Sequence, residues 1–190
     1  MKFSDVIGHE ELKQMFQQEI SEGRLPHALL LCGPEGNGAL PLALAAAHQL
    51  LHSPMADKFQ HPDLHFSFPV FKKDSNNKKP VPCDLFIQQW RQQLTKQPYF
   101  GLVEWADTLN SENKQLQMFA EEADSLLKKL SLKANQGGYK VVVMWLPEKM
   151  NLTCANKMLK LLEEPPAATV FLLVSEQPEQ IGRASYRERV

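Results

Sequence analysis

The chain has 190 residues, which is enough for one α/β domain with a small appendage and too few for two full domains. Lys and Arg number 21 against 22 Asp and Glu, so the formal net charge is -1, and a globally basic surface for nucleic acid is excluded. Hydrophobic residues make up 43% and charged residues 23%, which predicts a folded globular chain.

Three cysteines are widely spaced along the chain: Cys32, Cys83 and Cys154. Their odd number argues against a disulfide framework and predicts a reducing compartment, the cytosol. We expect Cys32 and Cys154 to be small core residues rather than nucleophiles. The first residues do not form a secretory signal, and the longest apolar stretches are far shorter than the roughly 20 residues that span a bilayer.

The first elements alternate between helix and strand. Apolar residues at helical spacing predict a helix over Glu10 to Glu22, with Gly23 at its end. The apolar run Ala28 to Cys32 predicts a buried strand, which leads through a glycine-rich turn into a helix that ends near Leu51. Alternation over His61 to Val70 predicts a half-buried strand, and a proline in it favours an edge position.

The middle of the chain is polar and then helical. The segment Lys72 to Pro80 is predicted to be a solvated loop. Asp84 is expected to cap a helix that runs to about Gln97, with Trp90 in the core. Trp105 is also expected in the core.

The second half of the chain repeats the alternation. Its apolar pattern predicts a longer helix from about Lys114 to Leu132. The apolar segments at 139–146 and 168–175 predict two central strands, separated by a helix from Thr153 to Glu164. Strands that alternate with helices indicate a parallel sheet with helices on both faces.

The turn after the first strand has the glycine spacing of a phosphate loop, G-x-x-x-x-G. It comprises Gly33, Pro34, Glu35, Gly36, Asn37, Gly38, Ala39 and Leu40. Ala39 and Leu40 stand where the motif needs a lysine for the phosphates and a Ser or Thr for magnesium. The strand that should end in a magnesium-binding acid ends in Trp145 and Leu146. We therefore expect a degenerate site with no catalytic residue.

Three segments resemble the AAA+ clamp-loader family of bacterial DNA polymerase III subunits: FSDVIGHEELKQ, GRLPHALLLCGPEGNG and ANKMLKLLEEPPAATVFLLVSEQPEQ. The third is the most specific, and its signature residues are Asn156, Leu159, Leu162, Glu163, Glu164, Pro165 and Pro166. The resemblance covers most of Phe3 to Gln180. It implies an AAA+, P-loop NTPase-like three-layer domain over residues 1–180, with an insertion at about 52–84.

The resemblance also implies a function. In that family the gamma and tau subunits hydrolyse ATP, whereas the delta prime branch is a non-hydrolysing stator with a degenerate loop. The loop of this chain fits the stator, which helps to assemble the ATP-driven complex that loads the sliding clamp on primed DNA. The implied partners are gamma or tau and delta, with the clamp and DNA reached through the complex, and no cofactor is expected. The alternative is an active P-loop ATPase or nucleotide-binding protein with an unconventional phosphate loop.

The insertion departs from the family. Many members carry a four-cysteine zinc module there, whereas this chain has only Cys83 between His52 and Asp84. His61, Asp63 and His65 could ligate a metal, but ordinary edge-strand residues explain them as well. Because a structural zinc site needs four ligands, we expect no metal.

The end of the chain departs as well. Residues 181–190 do not follow the family pattern and are predicted to be a non-native or disordered tail, and the lid and collar domains of the family are absent from the sequence. We therefore do not identify Arg183, Arg187 or Arg189 with the arginine finger of the family. His27 resembles a position near the adenine pocket, with a structural role as the alternative.

Overall fold

The computed structural model describes residues 1–71, 82–111, 114–135 and 138–181. Its four strands are all parallel and form one sheet in the order β1-β4-β3-β2. The strands are β1 Ala28–Cys32, β2 Leu64–Ser67, β3 Lys140–Trp145 and β4 Thr169–Ser175. This parallel sheet with its flanking helices confirms the predicted α/β class.

The first helix precedes β1, and the others lie along the chain between the strands. They are α1 Glu10–Ser21, α2 Ala39–Leu51, α3 Pro54–Asp57, α4 Ile87–Lys96, α5 Leu102–Thr108, α6 Ala120–Leu130 and α7 Leu152–Glu163. None of these helices is long and apolar enough to cross a bilayer.

Successive residues of the central strands point to opposite faces of the sheet, so each face has its own core. Val141 and Val143 pack into a core built largely from α2, α4 and α5. Val142 and Met144 pack into a second core with α6 and α7. The prediction that these two strands are central is confirmed by the strand order, and every residue of β3 and β4 is buried.

The prediction that β1 is a buried strand is wrong. Among the strands that the structure describes, β1 pairs with β4 alone and forms one edge of the sheet. Leu30 is 49% exposed, and Cys32 is exposed rather than in the core. The apolar run predicts a strand but not which strands lie beside it, because an apolar edge strand and a central strand have the same sequence pattern. Cys154, by contrast, is buried as predicted.

The strand predicted over His61 to Val70 is shorter than expected. It covers only Leu64–Ser67, and its edge position is confirmed. The alternation in a half-buried strand would place Ser67 on the solvent side, but Ser67 is fully buried. Its hydroxyl donates to the sulfur of Met118 at 3.4 Å, since the segment before α6 covers that face.

Two predicted helix starts are wrong. The helix expected from Lys114 begins at Ala120, because the residues before it are extended: Gln117 exchanges two backbone hydrogen bonds with Val70. Asp84 does not cap α4, which starts at Ile87 after a 3₁₀ turn.

Asp84 instead joins two elements. Its carboxylate accepts hydrogen bonds from Lys129 at 2.6 Å and from Ser125 at 3.0 Å, both on α6. Trp90 and Trp105 are fully buried, as predicted. The segment predicted as a loop at Lys72 to Pro80 lies outside the described residues, as do Arg183, Arg187 and Arg189.

Candidate functional site: the loop at the carboxyl end of the sheet

The carboxyl ends of the parallel strands meet at one end of the sheet, where α/β proteins commonly bind nucleotides. Gly33 continues from β1 and donates its N–H to the carbonyl of Ser175 at the end of β4, at 3.2 Å. The chain then turns through Gly36 and Gly38, whose φ angles are 78° and 88°. Such angles favour glycine, and they bring the chain to the start of α2 at Ala39.

The loop has the outline of a phosphate loop, but its interior is filled. The cavity that it encloses is about 20 Å³, close to the space of one water molecule and far below the size of a nucleotide site. Side chains from three other parts of the chain close it: Tyr99, Phe100, Trp145 and Glu176. The space left between these residues is therefore too small for a nucleoside triphosphate with its magnesium ion.

The two positions that carry the chemistry of a phosphate loop are apolar and buried. Ala39 and Leu40 form the first turn of α2, and both belong to the core. Among the described residues around the cavity, none carries an amine or a guanidinium group. The loop thus lacks both the point charge for the phosphates and the hydroxyl for magnesium.

The charges at the mouth of the loop are negative. Glu35 is exposed, and Glu176 lines the same cavity. Burial raises the pKa of Glu176, and the nearby carboxylates of Glu35 and Glu148 raise it further. This potential is opposite in sign to the one that attracts a polyphosphate.

Trp145 stands at the end of β3, where a magnesium-binding acid would be required. It is 2% exposed, and its ring centre lies 5.3 Å from that of Trp90 and 5.1 Å from that of Phe100. Leu146 follows with a left-handed φ of 57°, and its N–H donates to the carbonyl of Val174 at 2.8 Å. An aromatic cluster therefore takes the space that a metal ion and its ligands would need.

The carboxylate of Glu148 also lies near the strand ends, but both of its oxygens already accept hydrogen bonds. Glu148 accepts a hydrogen bond from the hydroxyl of Ser175 at 2.8 Å. Its other oxygen accepts the N–H groups of Glu176 at 3.0 Å and Gln177 at 3.3 Å. Glu148 thus fixes the turn after β4.

The residues weighed as metal ligands lie at the opposite, amino end of the sheet. His61 Nδ1 accepts the N–H of Asp63 at 3.1 Å and lies 4.0 Å from the Asp63 carboxylate. The Asp63 carboxylate accepts the N–H of Asn135 at 3.0 Å. In the described ranges of the chain, no group of three or more His, Cys, Asp or Glu residues could hold a metal ion.

Burial also changes the acidity of groups near β2. It lowers the pKa of His65 to about 4, with Lys129 adding to the effect. Cys83 is buried and donates its thiol to Glu122 and to the carbonyl of Phe66, both at 3.1 Å. Burial raises the pKa of Glu122 and, with the carboxylate of Glu122 beside it, that of Cys83.

The family signature lies on α7 and the turn that follows it. The core face of α7 consists of Cys154, Ala155, Met158 and Leu161. The signature residues lie outside this face: Asn156, Leu159, Leu162, Pro165 and Pro166 are half-buried, and Glu163 and Glu164 are exposed.

The structure adds residues to the loop that the sequence did not reveal. His9, Tyr99 and Phe100 lie against it although they are far away in sequence, and no spacing pattern marks them. His27 is exposed at the amino end of β1, which places it the length of the strand, roughly 16 Å, from the loop.

Comparison with known families gives a match over nearly the whole chain. The profile of the family described as "DNA polymerase III, delta subunit" matches residues 8–183. A DNA polymerase III subunit delta' from Bacillus subtilis is 26% identical over 168 residues, which are 88% of this chain and 42% of that protein. A subunit delta' from Yersinia pestis is 44% identical over 75 residues, 38% of this chain and 22% of that protein. The chain thus spans less than half the length of these relatives.

A solved structure has a similar fold. A DNA polymerase III, gamma subunit-related protein from Thermotoga maritima superposes with a TM-score of 0.51 and 15% identity. The alignment covers 90% of this chain and 40% of that one. This likeness concerns the fold alone.

Proposed function

The chain belongs to the family described as DNA polymerase III, delta subunit, and from that membership we propose that it is a non-catalytic clamp-loader subunit of the delta prime type. In this role it acts as a stator in the bacterial cytoplasm. It holds the ATP-hydrolysing gamma or tau subunits and the delta subunit in the complex that loads the sliding clamp on primed DNA.

The filled loop is the observation that carries this proposal. Phosphoryl transfer from ATP needs a lysine on the phosphates, a magnesium ion with its protein ligands and a group that orients water. Here Ala39 stands at the lysine position, Leu40 and Trp145 at the positions of the magnesium ligands, and Leu146 at the position that orients water. All four are buried in the core. A single substitution cannot supply all the missing groups. The loop therefore argues against ATP turnover, and a role in assembly of the complex is the one that remains.

The charge at the loop supports the same role. Glu35 and Glu176 lie at its mouth, and no described residue around the cavity is basic. A nucleotide would bring its negative phosphates next to these carboxylates, and the described side chains that line the cavity supply no positive charge to offset the repulsion. The alternative function, an ATPase with an unconventional loop, would have to overcome both this repulsion and the small cavity.

Nucleotide binding is the first test. Calorimetry with the 190-residue chain, ATP and magnesium is expected to give no saturable signal at millimolar nucleotide, whereas a tau subunit with a complete loop gives one. Ala39→Lys restores a charge but leaves Leu40 and Trp145 in place, so it is expected to show no magnesium-dependent turnover. Saturable binding by the wild-type chain, or turnover by the variant, would favour the alternative.

Assembly is the second test. In size-exclusion chromatography, the chain mixed with tau and delta subunits is expected to elute in a larger complex. The outward face of α7 is our candidate for subunit contact, since Asn156 and Leu159 lie about 60° apart on a helical wheel and away from the core.

The contact face can be tested with matched variants. The double variant Asn156→Ala, Leu159→Ala is expected to weaken the complex while circular dichroism shows a folded chain. Lys160→Ala changes an exposed neighbour on the same helix and is expected to assemble normally. Failure of the wild-type chain to join either subunit would refute the proposed role.

A further inference from the structure

Asn37 folds its side chain back into the loop that contains it. Its amide lies directly over Gly33, so that a Cβ added at Gly33 would overlap it. Its Oδ1 accepts the N–H of Ala39, the first residue of α2, at 3.0 Å. The side chain thus packs over Gly33 after β1 and binds the start of α2.

The backbone of Asn37 is fixed as well. Its N–H donates to the carbonyl of Pro34 at 3.2 Å. Its carbonyl accepts a hydrogen bond from His9 Nε2 at 2.5 Å, which ties the loop to the segment before α1.

A second element holds the same side of the loop. A Cβ added at Gly38 would meet the rings of His9 at 3.3 Å and Tyr99 at 3.4 Å. The hydroxyl of Tyr99 in turn accepts the N–H of Ile7 at 2.8 Å. The loop is therefore held by side chains from two distant segments as well as by its own asparagine.

One of these contacts, from the Asn37 side chain to the N–H of Ala39, takes the place of a bond to an anion in a phosphate loop. The first amides of a helix have no partner within the helix, and in phosphate loops they donate to phosphate oxygens. Here the amide of Ala39 already has an acceptor. The amide oxygen of Asn37 is neutral, so it satisfies that donor without adding charge beside Glu35 and Glu176.

We propose that Asn37 is an internal ligand of this loop, which holds the loop closed and in one shape without any bound anion. The inference rests on the proposed non-catalytic function and deepens it. A stator whose loop is satisfied by its own side chain keeps the same shape at any nucleotide concentration.

Two substitutions at one position test the contact. Asn37→Ala removes the acceptor, whereas Asn37→Asp keeps an oxygen in the same place. Amide hydrogen exchange is measured by NMR on the 190-residue chain, with the N–H of Ala39 as the reporter. The N–H of Leu146, which is bound to the carbonyl of Val174, reports on opening of the whole sheet.

The expected result is selective. Exchange at Ala39 becomes about tenfold faster in Asn37→Ala, the change expected for the loss of one hydrogen bond of ordinary strength. Exchange at Ala39 in Asn37→Asp stays within about threefold of the wild-type rate, and Leu146 is unchanged in both variants. Equal exchange at Ala39 in the wild type and in Asn37→Ala would overturn the inference, and so would equal acceleration in both variants.

Titration of the wild-type chain with ADP and magnesium separates this inference from the proposed function. No shift of the amide resonances of residues 33–40 is expected. Saturable shifts there would overturn both proposals, because the loop would then bind a nucleotide. If ADP causes no shift but the exchange pattern fails, the inference falls and the non-catalytic function stands.

Discussion

The two ends of the sheet are closed in opposite ways. At the carboxyl end, where the fold would place a nucleotide, the core side chains Trp145, Trp90 and Phe100 pack against each other. At the amino end, ionisable groups are buried: Asp63 binds a backbone N–H, and Lys140 donates to the carbonyls of Leu130 and Leu132 at the end of α6.

This contrast shows why buried charge does not by itself mark a functional site. The amino end holds Asp63, Lys140 and His65, yet the hydrogen bonds of the first two go to backbone groups and support the fold. The carboxyl end has the topology of a site, and its interior is apolar. Whether this end of the sheet can hold a ligand therefore depends on what fills the space beyond the strands.

The largest expected effect comes from opening the aromatic cluster. Trp145→Ala removes a fully packed ring and is expected to lower the free energy of unfolding by about 3–5 kcal/mol. Trp145→Phe keeps most of the packing and should cost clearly less. Urea denaturation of the chain measures both. A loss below about 1 kcal/mol for Trp145→Ala would show that this end of the sheet is loosely packed.

The buried lysine at the other end is expected to matter somewhat less. Lys140→Met keeps the length of the side chain but leaves the carbonyls of Leu130 and Leu132 without their donor. The free energy of unfolding is expected to fall by about 2 kcal/mol. Lys133→Met, at an exposed position nearby, should change it by less than about 0.5 kcal/mol. Equal effects of the two variants would mean that Lys140 contributes no specific bond.

The pH dependence of stability gives a third test at the amino end. The pKa of His65 is lowered from 6.5 to about 4 in the folded chain. Between these values the unfolded chain binds a proton that the folded chain does not, so the contribution of His65 to stability is lost as the pH falls from 6.5 to 4. His65→Gln should remove on the order of 2 kcal/mol of this decline between pH 7 and pH 4, as followed by urea denaturation. An unchanged decline would place His65 in solvent.

The thiol at the edge of the sheet is expected to have a smaller effect. Cys83→Ala leaves Glu122 and the carbonyl of Phe66 without the thiol donor, and should cost about 1–2 kcal/mol. Cys83→Ser keeps a donor and should leave the fold intact at a cost below about 1 kcal/mol. Thermal unfolding monitored by circular dichroism compares the two. A serine variant less stable than the alanine variant would argue that volume, and not the hydrogen bond, is what Cys83 supplies.

The smallest effect is expected at the surface of α6 and α7. Lys157 and Asp124 form an ion pair at 2.6 Å, with side chains that are 42% and 50% exposed. Asp124→Asn should change the free energy of unfolding by about 0.5 kcal/mol or less, and by still less in 1 M salt. A larger decrease in the free energy of unfolding, measured by urea denaturation, would mean that this pair stabilises the fold more than exposed ion pairs usually do.

Local sequence determined most of the elements. Nearly continuous apolar runs predicted β3 and β4 because a strand buried on both faces consists mostly of such residues, and glycine spacing located the loop after β1. The absence of a lysine, a hydroxyl and an acid at Ala39, Leu40 and Trp145 was already visible in the sequence, since those positions are defined by their neighbours along the chain.

The tertiary structure decided what surrounds each element. It placed β1 at an edge, delayed the start of α6 until Ala120 and brought His9, Tyr99 and Phe100 to the loop. None of these features has a periodic signal, because contacts between distant segments depend on how the helices pack over the sheet. The sequence shows that the loop has no lysine or hydroxyl at Ala39 and Leu40. Only the packing shows that side chains from distant segments fill its interior.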